Sequence, residues 1–173
     1  MTEKQQNILN AALKLFAQEG YASTSTSKVA QEAGVSEGLI FRHFKSKEGL
    51  LHAVLQKSKE AAHQVFSNIV MTNDPNELLR KTLEMPFSIP SSDYEMWRLT
   101  YALKWQTDGY DIDSMEYVKV ALRNAFNKLG YDDPDAETEV IFMFLDGAAS
   151  ALLLHPPGNL ETIVNALKSK YQL

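Results

Sequence analysis

Apolar residues return every three or four positions along nearly the whole chain, the spacing of helices that bury one face. Ile8, Ala12, Leu15 and Phe16 make the first stripe. Thr2 with Gln5 opens it as a capping box, and Gly20 ends it in the left-handed conformation. Ser25 caps a second helix through Ala33, with Val29 and Ala30 inward, and Gly34 closes it. Ser36 caps a third helix through Phe44. Ser46 caps a long fourth one, in which Leu50, Leu51, Val54, Leu55, Ser58, Ala62, Val65, Phe66 and Ile69 recur. Asp74-Pro75 opens a fifth helix, which ends near Met85 because Pro86 and Pro90 cannot continue it. Ser92 with Glu95 reads as a second capping box, for a helix to about Thr107. Met115, Val118, Leu122, Ala125 and Leu129 share a face of a seventh helix that stops at Gly130. Asp133-Pro134 opens an eighth helix to about Leu154. Asn159 caps a ninth, carrying Leu160, Ile163, Val164, Leu167 and Tyr171. No strand pattern, repeat or low-complexity tract interrupts this, so the expected fold is all-α with about nine helices.

The second and third helices are short and joined by a tight turn at Gly34, the helix-turn-helix arrangement. Val35, Ile40 and Phe44 can face inward, which leaves Glu37, Gly38, Leu39, Phe41, Arg42 and His43 pointing elsewhere. Gly38 is costly inside a helix, but it clears space where a groove wall approaches. A recognition helix sets such residues against base edges in the major groove of DNA. The residues alone leave a blander reading open: the pair is a structural corner, Leu39 a core residue, and His43 a partner for Phe44.

Charge sharpens this picture only slightly. The 173 residues carry a formal net charge of −5. Residues 1–47 hold six Lys/Arg against four Glu, and the remainder eleven against eighteen acidic residues. A mildly basic head on an acidic body orients a protein on a polyanion. With no cysteine there is neither disulfide nor thiolate metal site. His52, His63 and His155 lack zinc-ligand spacing. No Ser/His/Asp set, phosphate loop or carboxylate pair stands out, so neither enzyme activity nor a cofactor is expected. The start of the chain lacks the apolar stretch of a signal peptide. Val140–Leu154 is short for a membrane span. A cytoplasmic protein without membrane contact is the expectation.

The stretch "ILNAALKLFAQEGYASTSTSKVAQEAGVSEGLIFRHFKSKEGLL" resembles the N-terminal domain of TetR-family transcriptional regulators. The likeness rests on Ala11-Ala12, Leu15-Phe16, Gly20-Tyr21, Thr24, Val29-Ala30, Ala33-Gly34-Val35-Ser36, Gly38, His43-Phe44, Lys47 and Leu50-Leu51. It implies a helix-turn-helix DNA-binding domain over 1–45. A helical ligand-binding and dimerisation domain follows over 46–173, with 46–71 as connecting helix. It also implies contacts with a double-stranded DNA operator. Thr26, Ser27 and Lys47 fall on phosphate-contacting positions. Glu37, Gly38, Leu39, Arg42 and His43 fall at the groove, and Ser36 counts with them among the DNA-binding residues. Phe41 stands where the family usually has a tyrosine, so a phosphate hydrogen bond is missing there. Leu39 replaces a small residue and suits a thymine methyl.

In the second half, the eighth helix is apolar almost all round after Val140, with Gly147, Ala148 and Ala151 allowing close approach. Either it is a central core helix of a monomer, or its second face meets a symmetry mate. The resemblance implies a homodimer through the two C-terminal helices. Trp97, Tyr101 and Trp105 share a helix face. They line a small-molecule cavity, with Phe142 and Asp146 on the eighth helix, or they are plain core. The expected function is a homodimeric repressor released from a palindromic operator by a small apolar molecule. The alternatives are a DNA-tethered adaptor that binds a protein partner, and a helical binding protein with a vestigial helix-turn-helix.

Overall fold

The computed structural model describes residues 1–104 and 115–173. Their helices are α1 Glu3–Glu19, α2 Thr26–Glu32, α3 Glu37–Phe44, α4 Lys47–Val70, α5 Pro75–Glu84, α6 Tyr94–Lys104, α7 Glu116–Lys128, α8 Pro134–Leu154 and α9 Leu160–Lys170. Single 3₁₀ turns occupy Met85–Ser88 and Ser91–Asp93. There is no strand among the described residues, and no helix there is long and apolar enough to cross a membrane.

The helices gather into two compact units. The first holds Met1–Ala62 with α6, and the second holds His63–Pro90 with α7, α8 and α9. In the first, Ile8, Ala12, Leu15 and Phe16 of α1 pack with Val29 of α2, Ile40 of α3, Leu50 of α4 and Leu99 of α6. Helix α6 lies against α1 and adds Leu99 to this core, so the unit is discontinuous in sequence. Phe44 and Val35 face inward but are only partly buried. In the second unit, Phe66, Leu79 and Leu83 meet Val118, Leu122 and Phe126 of α7 and Ile141 and Leu145 of α8. Each fully buried side chain of this size contributes roughly 1.5–3 kcal/mol relative to exposure.

Most helix ends obey their local chemistry. The Thr2 hydroxyl accepts from the Gln5 amide while the Gln5 side chain accepts from the Thr2 amide, closing the capping box. Ser25, Ser46, Asp74 and Asp133 also cap through their side chains. Ser36 and Asn159 stand at N-cap positions without a side-chain hydrogen bond. The Ser92–Glu95 box does not form. The Ser92 hydroxyl donates to the adjacent Asp93 carboxylate, and Glu95 accepts from Gln18 of α1, so a neighbour and a tertiary partner between them displace the cap. Gly20 takes a positive φ of 88° but an extended ψ of 147°, so it is not the left-handed cap expected. Its carbonyl turns instead to accept the Thr24 hydroxyl at 2.9 Å.

Candidate nucleic-acid interface

The turn between α2 and α3 is fixed by its glycine. Gly34 has φ +66°; its amide donates to the Gln31 carbonyl, and the Val35 amide donates to Ala30 five residues back. That pair of bonds is the Schellman arrangement, which closes a helix and redirects the chain at once. Gly130 and Tyr131 repeat it at the end of α7, with Tyr131 seated on Phe126. At the far end of α3, Lys45 has φ +70°, and the Ser46 amide bonds the Phe44 carbonyl at 2.8 Å. This positive-φ γ-turn is a strained corner. It closes tightly over Gly49, where an added Cβ would stand 2.0 Å from the Phe44 oxygen. Helix α3 is therefore pinned at both ends, and Ile40 anchors its middle with no exposed surface.

The outward side of this unit carries the residues singled out from the sequence, but they differ in how they are held. Gly38, Arg42 and Ser27 are exposed, as is Ser36, and Phe41 keeps 44% of its surface exposed. Thr26 donates its hydroxyl to the Glu37 carboxylate at 2.6 Å, which ties α2 to the first turn of α3. Lys47 sets its ammonium 4.4 Å from the centre of the Tyr21 ring and donates to the Ala22 carbonyl at 3.2 Å. His43 takes the Gln5 amide on Nδ1 at 3.2 Å and meets Phe44 edge-on. Leu39 is half-buried against the core and borders an open hollow with Lys4, Gln31 and Ser36. No partner binds the Arg42 guanidinium among the described residues.

Two of these arrangements were invisible in the sequence. Tyr21, which supports Lys47, packs edge-on against Phe16 at 5.2 Å. Its hydroxyl is buried, and burial together with the Glu48 carboxylate beside it holds its pKa above the ordinary value. Glu48 itself is held below the usual carboxylate range, first by its own backbone amide and then by the Ser46 hydroxyl. Gln5 reaches His43 across 38 residues, and no local spacing signals such a contact.

The expected ligand-lining set is divided. Trp97 and Tyr101 are half-buried on α6 in the first unit; Phe142 and Asp146 lie on α8 in the second. Phe142 faces the Lys119 ammonium at 5.1 Å. Trp105 lies outside the described residues. No group of three or more His, Cys, Asp or Glu suited to a metal ion occurs among the described residues.

A helix-turn-helix head, carried on a long helix that continues into a further helical unit, is the build of a DNA-binding regulator. Known proteins agree with this. Residues 8–54 match the model of bacterial regulatory proteins of the tetR family. The transcriptional repressor AcnR of Corynebacterium glutamicum is 31% identical over 153 residues, 84% of this chain and 77% of that protein. The transcriptional regulator AcrR of Shigella flexneri is 37% identical over 83 residues, 47% of this chain and 39% of its own. Among solved structures, the fatty acid degradation regulator FadR of Bacillus halodurans superposes with a TM-score of 0.73 at 21% identity. That match covers 98% of this chain and 94% of that one, and it shows the shared fold. The chain spans about a third of the length of the first curated relatives it matches, all transcriptional regulators of Bacillus subtilis. The chain belongs to the TetR family of bacterial transcriptional regulators and carries its helix-turn-helix.

Proposed function

We propose that this protein is a homodimeric repressor that grips a palindromic operator through α3 and lets go when a small apolar molecule binds its helical body. The observation that carries the DNA part of this reading is the pinned α3, whose outer side presents Gly38, Phe41 and Arg42 to solvent, with the Lys47 cation at the start of α4 held over the Tyr21 ring. The pairing part is supported by α8. Its inner face buries Ile141, Leu145, Ala149, Leu152 and Leu153, while Val140, Met143, Gly147, Ala151 and Leu154 remain exposed on another. Helix α9 buries no residue fully. A two-fold pairing of α8 and α9 would cover both faces and set two recognition helices on symmetric half-sites.

Lys47 acts through charge and position. Lys47→Ala is expected to weaken operator and random duplexes alike and to lower the salt slope by roughly 0.9 for each phosphate it no longer neutralises. Binding isotherms at a series of salt concentrations measure both. A loss confined to operator DNA would assign Lys47 to base reading instead.

The effector reading draws on the half-buried aromatic side chains of Trp97 and Tyr101. A coupling of about 1–3 kcal/mol would change DNA affinity roughly 5–150-fold, and linkage demands that operator DNA weaken the effector by the same factor. Titration of a bound compound with and without operator, followed by Trp fluorescence, tests it. Equal affinities in both titrations exclude that compound as the inducer.

A further inference from the structure

We infer that Gln5 is a positioning residue for DNA binding, which fixes the tautomer of His43 and so makes its outer ring nitrogen a hydrogen-bond donor. The inference rests on the reading of α3 as the operator-binding helix. It follows from a short chain of donors and acceptors. The Thr2 backbone amide can only donate, and a Gln5 side-chain oxygen stands 2.8 Å from it. That contact identifies the oxygen end of the Gln5 amide, which otherwise looks the same from both sides. The other end is then an NH₂ group, which can only donate. It lies 3.2 Å from His43 Nδ1, so Nδ1 must offer its lone pair. A neutral imidazole has a single N–H, and it therefore sits on Nε2. The Gln5 amide cannot turn over without putting its NH₂ against the Thr2 N–H and opening the capping box of α1.

The cap of one helix thus determines what the recognition helix can offer. The His43 ring is half-exposed and braced edge-on by Phe44. With Nδ1 taken, Nε2–H is the end left to an outside acceptor. DNA phosphate oxygens are acceptors only, and together with the sugars they receive half or more of protein–DNA hydrogen bonds. The opposite tautomer would present a lone pair to that oxygen and repel it. A neutral donor displaces no counterion, so this contact adds affinity without adding to the salt slope.

Gln5→Glu separates this role from helix capping. A glutamate at this position still accepts from the Thr2 amide, as capping boxes commonly do, but its carboxylate has no hydrogen to give Nδ1. A neutral ring must then carry its proton on Nδ1 to face it. Long-range ¹H–¹⁵N spectra of the full-length protein at pH 8 read the tautomer, with the His43 signals identified by their disappearance in His43→Gln. The wild type is expected to show the proton on Nε2, and Gln5→Glu on Nδ1. Affinity is measured by fluorescence anisotropy on a duplex that the full-length protein selects from random-sequence DNA. It is expected to fall roughly 2–12-fold per half-site, the worth of one neutral hydrogen bond, with the melting temperature and salt slope unchanged. His43→Ala should cost nothing further in the Gln5→Glu background. A wild-type proton on Nδ1 overturns the inference, as does a tautomer switch that leaves affinity unaltered. A random pool that yields no bound duplex overturns the regulator reading itself, and the DNA role of Gln5 with it, whatever the spectra show.

Discussion

Met143→Glu is expected to break the proposed dimer into folded monomers and to abolish tight operator binding. Met143 keeps 74% of its surface exposed and Leu154 keeps 69%. Neither side chain belongs to the core of its own unit, so a change at Met143 should hardly disturb the fold of a single chain. Along α8 these two align with Val140, Gly147 and Ala151, a run of apolar and small residues on a helix whose opposite face is buried. In a two-fold interface every residue is used twice. A glutamate there would be buried without a partner on both sides of the axis. Burying even a neutral polar group unpaired costs roughly 2–7 kcal/mol, and a charge more. A dimer with a micromolar dissociation constant is held by only about 8.2 kcal/mol, so two such penalties exceed what it can absorb. The DNA consequence is as large, because a monomer engages one half-site instead of two. Light scattering at tens of micromolar decides the matter. A monomeric parent protein, or a Met143→Glu variant that remains a dimer with full operator affinity, would rule out pairing through this face.

How much of this was legible beforehand depends on the range of each interaction. The helices of the described residues were readable because apolar period, caps and breakers all act within a few residues. Asp74-Pro75, Asp133-Pro134 and the Thr2–Gln5 box lie where the sequence places them. The helix-turn-helix was readable too, since Gly34 and Val35 close α2 through bonds no longer than five residues. Ser92 and Glu95 show the limit: both have local capping chemistry, yet Glu95 is engaged by Gln18, which is distant in sequence. For the same reason nothing in the chain announced that α6 would pack on α1 and join the first unit. At the candidate interface, residue types and positions could be read, but not their states. The Thr26–Glu37 bond, the Tyr21 support of Lys47 and the Gln5–His43 bond all span elements. They determine which of these side chains is already committed inside the protein.

That commitment singles out Arg42 as the residue whose removal should cost the most specificity. Glu37 receives the Thr26 hydroxyl, His43 is held by Gln5, and Lys47 is drawn to Tyr21 and the Ala22 carbonyl. Arg42 is exposed on α3, and among the described residues no hydrogen-bond or ion-pair partner holds its guanidinium; the Lys45 ammonium donates to its backbone carbonyl at 3.3 Å. Its planar fork can pair with guanine O6 and N7 together, a contact worth about 1–3 kcal/mol against the wrong base. A symmetric dimer makes that contact at both half-sites. Arg42→Ala should therefore cost about 2–6 kcal/mol on the operator, roughly 30-fold to more than 10⁴-fold, if the two sites add. Random DNA should lose only the electrostatic share of one cation per half-site. Arg42→Lys retains the charge but not the fork, so it should restore binding to random DNA without restoring the operator preference. Competition between operator and random duplexes at fixed salt measures the difference directly. Equal losses on the two DNAs for Arg42→Ala, or full recovery of preference by Arg42→Lys, would show that Arg42 contributes charge and reads no base.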